Sequence, residues 1–112
     1  AIIAINDGGT IGTVTAVQNG GKSDVIMVFG HDGSDEISSM ILDESSPLQS
    51  VVAQDPYGMG YEAMSALIKA IQGEDYSATK GKCEYMEGII LSKRDTEAVN
   101  SWRVDNGFEA IQ

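Results

Sequence analysis

The sequence predicts an α/β fold with a mostly parallel sheet, and three observations carry the prediction. Short apolar runs at 1–6, 25–30 and 49–54 are each followed by a segment with helical spacing. The stretch "VIMVF" is continuously apolar rather than alternating, as in a strand covered on both faces. The order strand, helix, strand, helix, strand, helix implies parallel strands joined by right-handed crossovers, with helices on the faces of the sheet.

Each element has its own reason. Residues 1–6, "AIIAIN", read as the first strand, which Gly8 and Gly9 break. Ile11, Val14 and Val17 give helical spacing over 10–19, and Asn19-Gly20-Gly21 is a helix stop. Residues 25–30 form the second strand. Ser34 is a helix cap with Asp35 and Glu36 in the first turn, where the helix dipole favours acids. That helix carries Ile37, Met40 and Ile41 and ends near Glu44. Residues 49–54 form the third strand. Over 57–72 the positions Met59, Ala63, Ala66, Leu67, Ala70 and Ile71 make the clearest helix, stopped by Gly73. Beyond it the texture turns polar, with one apolar run at Ile89 to Leu91, and extended segments are expected there. A short last helix is expected over 95–102.

The chain of 112 residues suffices for one domain with a core of modest size. No apolar run approaches the length of a membrane span. It opens at Ala1 inside a strand-like run, from which a mature, cut or truncated product is expected. The net charge of −10 disfavours nucleic acid, whose phosphates need clustered Lys and Arg, and is compatible with a neutral or cationic ligand. One cysteine, Cys83, excludes an internal disulfide, and one Cys with one His cannot close a zinc site. No cofactor or metal is expected.

The three strands end alike. "AIIAIND" ends in Asn6 and Asp7, "VIMVFGHDG" runs into His31 and Asp32, and "SVVAQDP" ends in Gln54 and Asp55. In parallel sheets ligands bind outside the carboxyl ends of the strands. Asn6, Asp32 and Gln54 are therefore the candidate binding residues, although Asn6 and Asp32 could instead cap the helices after them. Asn6 and Gln54 offer donor and acceptor together, and a carboxylate accepts twice. That mixture suits a polyhydroxyl ligand, in which every hydroxyl both donates and accepts. Asp7 and His31 are further candidates to line the ligand. His31 and Asp32 are adjacent in a strand, so their side chains are expected to point to opposite faces and not to act together. No G-x-S-x-G elbow or activated nucleophile is present, and no enzyme activity is expected.

Two motifs invite comparison. "NDGGT", residues 6–10, resembles the phosphate loop of sugar kinases of the hexokinase and actin-like fold, but the next strand signal arrives only after "NGGKSD", which suits a crossover helix better. The longer stretches "NDGGTIGTVTAVQNGGKSDVIMVFGHDG" and "SVVAQDPYGMGYEAMSALIKAIQGE" resemble the sugar-binding proteins of ABC transporters, of the ribose- and galactose-binding type. The resemblance spans roughly residues 1–75 and is loose from 76 onward.

This resemblance implies a three-layer sandwich, part of the C-terminal lobe of a type I periplasmic binding protein. Residues 1–112 would be one domain: a βαβαβα core over 1–75, then crossover and hinge segments and a C-terminal tail over 76–112, with "SATKGK" on the hinge side. It implies that Asn6, Asp32 and Gln54 hold sugar hydroxyls, with Tyr57 a further candidate to line the ligand as an aromatic ring, that a monosaccharide (pentose or hexose) is the ligand, and that an ABC permease and a missing N-terminal lobe are the partners. The expected location is periplasmic or extracellular, lipid-anchored in Gram-positive bacteria. The bare lobe face leads us to expect association with another chain. His31 stands where the family often has Phe, and Asp55 precedes Pro56 where an apolar residue is common. The effector-binding domain of a lac-repressor-type regulator shares the fold and is the alternative, with a sugar kinase behind it.

Overall fold

The apolar runs pair in the order in which they occur. In the computed structural model, which describes residues 1–75, 80–83 and 85–111, β1 (Ile2–Ile3), β2 (Val28–His31) and β3 (Leu48–Ala53) are parallel neighbours, and β4 (Ile89–Ser92) joins β3 antiparallel. Between and after them lie α1 (Asp7–Asn19), α2 (Asp35–Leu42), α3 (Pro56–Gln72) and α4 (Thr96–Asp105). The chain divides into two compact units, Ala1–Ala53 with Ile89–Gln112, and Gln54–Gly88.

The first unit holds the sheet and its core. Val14 and Val17 of α1, Ile37 and Ile41 of α2, and Val99 and Trp102 of α4 pack with Val28, Leu48, Val51 and Leu91 in one cluster. One layer of three helices thus covers one face of the sheet. On the strands, side chains alternate between faces. Gly30, Val51 and Leu91 are cross-strand neighbours on the helix side, and His31, Val52 and Ile90 are neighbours on the other. There Val52 and Ile90 are exposed. The unit supplies a helix layer and a sheet, two of the layers expected from the sequence.

A buried arginine fastens the helix layer. Arg103 of α4 is only 3% exposed. Its Nη2 donates to Asp35 Oδ1 at 2.6 Å, and its Nη1 to Ser38 Oγ at 2.6 Å and to the Asp35 carbonyl at 2.9 Å. Its Nε donates to the Glu109 carbonyl at 2.7 Å. One guanidinium therefore joins α4, α2 and the C-terminal segment through its fixed fork of donors. At the far end of the sheet, Lys93 Nζ donates to the Ser46 carbonyl at 2.6 Å, and burial holds its ammonium below the usual lysine value.

Several boundaries differ from the sequence reading. The first strand is two residues long rather than six, because β1 is an edge with a partner on one side only. Its ladder ends with Ala4 N donating to the Phe29 carbonyl. Gly8 and Gly9 do not break the chain but form the first turn of α1, which starts at Asp7. Residues 25–27 fall outside β2, since Val25 and Ile26 both turn back to the Lys22 carbonyl. Val25 and Met27 are exposed, so the apolar run is not buried throughout. The last helix continues to Asp105, which places Trp102 inside it and buried. Ser34 caps α2 as expected, its oxygen accepting from Ile37 N.

The second unit is built on α3. Asp55 caps it by accepting from Gly58 N at 2.8 Å, and Pro56 fills the first helical position, where a missing N–H is harmless. Gly73 ends it in the left-handed conformation (φ 74), with Glu74 N reaching back to the Lys69 carbonyl. No residue of α3 is buried. Cys83 is an exposed free thiol. Part of "SATKGK", read as hinge-side, lies outside the described residues.

Candidate functional site

The head of α1 and the end of β2 meet at one carboxylate. Asn6 is extended and caps α1, its Oδ1 accepting from Gly9 N at 2.8 Å. Asp7, the first residue of α1, donates its backbone N–H to Asp32 Oδ2 at 3.2 Å. Asp32 thus lies 25 residues further along the chain yet sits at the positive end of α1, where a negative charge is favoured. The structure brings Asn6, Asp7 and Asp32 together at the carboxyl edge of the parallel strands.

Asp32 does not cap the helix that follows it, which Ser34 does. Its backbone is left-handed, with φ 72, a region aspartate tolerates better than most side chains. Its N–H still donates to the Val52 carbonyl at 2.8 Å. The turn out of the strand overturns one expectation. His31 and Asp32 do not point apart: His31 Nδ1 lies 3.0 Å from Asp32 Oδ1. Strand alternation holds only while φ and ψ stay extended, and at residue 32 they do not. The side chains are 41% and 30% exposed, respectively, so the pair is open to a ligand.

A residue that the sequence reading passed over holds this corner. Thr10 is fully buried, and its hydroxyl donates to the Asn6 carbonyl at 2.7 Å and accepts from His31 N at 3.4 Å. It ties the first turn of α1 to the last residue of β2. Gly30 makes this approach possible, because a Cβ there would stand 2.5 Å from Thr10 Cγ2. Gly33 does the same on the other side, where a Cβ would stand 2.7 Å from the Trp102 ring. The glycines on both sides of "HD" were the available signal, together with the Asp-Gly pair that marks a turn.

Gln54 follows Ala53, the last residue of β3, and opens the second unit. Tyr57 lies exposed in the first turn of α3. These two remain candidates by their place in the chain. Two hollows lie elsewhere in the first unit. One, of about 470 Å³, is mostly apolar and lies between β1 and α1, beside Ile2, Gly12 and Ala16. The other, of about 240 Å³, is on the open sheet face between Phe29, Ser50, Ser92 and Arg94. Neither of these two is lined by Asn6 or Asp32.

The helix start leaves little for a phosphate. Of the first amides of α1, Asp7 N is taken by Asp32, Gly9 N by the Asn6 side chain and Thr10 N by the Asn6 carbonyl. A phosphate cradle needs such donors free, which counts against the kinase reading of "NDGGT". Among the described residues no group of three or more His, Cys, Asp and Glu could hold a metal ion, and no helix is long and apolar enough to cross a membrane.

Residues 1–75 match the periplasmic binding protein domain. The chain belongs to that family. It is 33% identical over 70 residues to the D-allose-binding periplasmic protein of Escherichia coli, which covers 62% of this chain and 22% of the relative. Among solved structures, an ABC sugar transporter subunit from Rhodobacter sphaeroides matches with a TM-score of 0.70 and 28% identity, over 82% of this chain and 31% of that one. An ABC transporter solute-binding protein from Agrobacterium vitis, solved with bound allitol, gives a TM-score of 0.76 over 93% of this chain and 33% of that one. At 24% identity this second likeness speaks for the fold. The periplasmic binding protein domain here spans 22% of the length of its curated relative and 31% to 33% of these solved chains.

Proposed function

We propose that the chain is the sugar-holding part of a solute-binding protein that delivers a monosaccharide, a pentose or hexose, to an ABC permease. Residues 1–75 are read as the core of a C-terminal lobe, and 76–112 as crossover segments and tail. The rest of the sugar-binding protein, with the N-terminal lobe, would close the other side of the ligand. The proposed location is the periplasm or the outer surface of the cell.

The observation that carries this reading is the Asp32 carboxylate. It is fixed at the carboxyl edge of the sheet by the Asp7 amide and still partly exposed. A carboxylate held in this way accepts from two neighbouring hydroxyls of one sugar, and Asn6, the residue before Asp7, carries an amide group that can donate. A relative supports the same ligand class: the Escherichia coli protein that is 33% identical over 70 residues binds D-allose. Binding without chemistry fits a corner that offers hydrogen bonds and no activated nucleophile.

The test is titration of the ¹⁵N-labelled chain with D-allose, D-ribose, D-galactose and D-glucose. At least one sugar is expected to move the amide resonances of residues 6–10 and 31–33. Asp32→Asn keeps the shape and removes the charge, and should weaken binding by about 1.5–3 kcal/mol, the value of a charge-assisted hydrogen bond. No response to any sugar, or equal affinity in the Asp32→Asn variant, would reject the assignment.

A further inference from the structure

We infer that His31 is the positioning residue for the Asp32 carboxylate, and that sugar affinity at this corner depends on the protonation of its ring. The inference rests on the reading of Asp32 as the sugar acceptor.

The carboxylate is gripped at both oxygens. Oδ2 accepts from the Asp7 amide at 3.2 Å, and Oδ1 lies 3.0 Å from His31 Nδ1. These two bonds hold the carboxylate from two sides. The backbone beneath the ring is firmly mounted. His31 N donates to Thr10 Oγ1, its position pairs with Val52, and Asp32 N donates to the Val52 carbonyl. What moves is therefore the proton rather than the backbone.

An ionised carboxylate only accepts, so Nδ1 must carry the proton in the neutral ring, leaving Nε2 as an acceptor. Protonation turns Nε2 into a donor and puts a full positive charge beside Oδ1. A sugar hydroxyl that donates to Asp32 then competes with an imidazolium for the same negative charge. By linkage, sugar and proton oppose each other, and affinity falls in acid. Histidine is the side chain suited to this over about pH 5 to 8. The ring is 41% exposed, so protons reach it.

Other titratable groups on neighbouring elements are occupied differently. Asp7 meets Asp32 through its amide, Asp35 of α2 is held by Arg103, and Glu36 follows it in the same first turn. Asp32 alone among them bonds the ring.

The experiment measures sugar affinity of the chain at pH 5 and pH 8, using the same four monosaccharides, for wild type, His31→Gln, His31→Phe and Asp32→Asn. Wild type is expected to bind at least about fivefold more weakly at pH 5. His31→Gln keeps a neutral donor, so it should bind nearly as well as wild type at pH 8 with a flat pH profile. His31→Phe should be flat and severalfold weaker at both. Because His31 is the chain's one histidine, its ring ¹⁵N resonances are unambiguous, and at pH 8 the sugar-free wild type should show the Nδ1–H form. An Nε2–H form, or a pH-independent wild type alongside an Asp32→Asn variant that has lost affinity, would overturn the role of His31 and leave the sugar site standing. Unchanged affinity in Asp32→Asn, or no sugar bound by wild type, would overturn both.

Discussion

Alanine in place of Gly30 tests the joint between α1 and β2. The added Cβ would stand 2.5 Å from Thr10 Cγ2 and 3.0 Å from Thr10 Cβ, and closer still to the hydroxyl oxygen. Thr10 is fully buried and bonded to the Asn6 carbonyl, so it cannot swing aside without losing that bond. Overpacking of this kind costs about 1–3 kcal/mol, and the lost bond adds about 1 kcal/mol. Gly30 is absent from the left-handed glycines, so alanine carries no backbone penalty there and recovers about 0.4–1 kcal/mol through the unfolded chain. The net cost is about 2–3 kcal/mol. Thr10→Ala removes both of the closest atoms and itself costs about 2 kcal/mol, from the hydroxyl and the methyl. The two changes must therefore couple: in the Thr10→Ala background, Gly30→Ala should cost less than about 1 kcal/mol. Urea unfolding followed by far-ultraviolet circular dichroism and by Trp102 fluorescence measures all four corners of the cycle. Additive costs, or a Gly30→Ala variant as stable as wild type, would refute the account of this corner.

Other perturbations have defined outcomes. Arg103→Ala should cost about 2–4 kcal/mol in urea, somewhat below a fully buried pair because the Asp35 side chain is 63% exposed, and Arg103→Lys should fall between it and wild type. A loss under about 1 kcal/mol would show that the fork does not hold α4 to α2. Asn6→Ala removes the cap of α1 and should cost about 1 kcal/mol, whereas Asn6→Asp should melt close to wild type. The Ser45 hydroxyl and amide hold the Asp43 carboxyl below its usual value. Its contribution is present above the unfolded value of about 4 and is lost as pH falls through the lower folded value. Ser45→Ala should therefore lose less stability than wild type between pH 7 and pH 3, and identical losses would count against the bond.

Much of the fold could be read because its signals are local. Ser34 and Gly73 mark helix ends through one hydrogen bond or one backbone angle, and each stands where expected. What escaped depends on partners distant in sequence. Gly8 and Gly9 look like a break until Asn6 and Asp32 supply the acceptors that let a helix begin there. The run from Val25 looks like strand, but its first residues turn back to Lys22 before pairing can start. The positions of Asn6 and Asp32 at one edge followed from strand order alone. The bond between His31 and Asp32 did not, because one left-handed residue cancels the alternation on which facing side chains are assigned.

The distribution of two rare residues has a practical consequence. Trp102 is the only tryptophan and lies in the first unit, its ring packed where a side chain on Gly33 would stand, next to Asp32. Cys83 is the only cysteine and is an exposed thiol of the second unit. A dye coupled to Cys83 and excited through Trp102 would report by energy transfer on the separation of the two units. The unsubstituted chain thus contains both ends of a spectroscopic ruler, one of them packed against the glycine that follows Asp32.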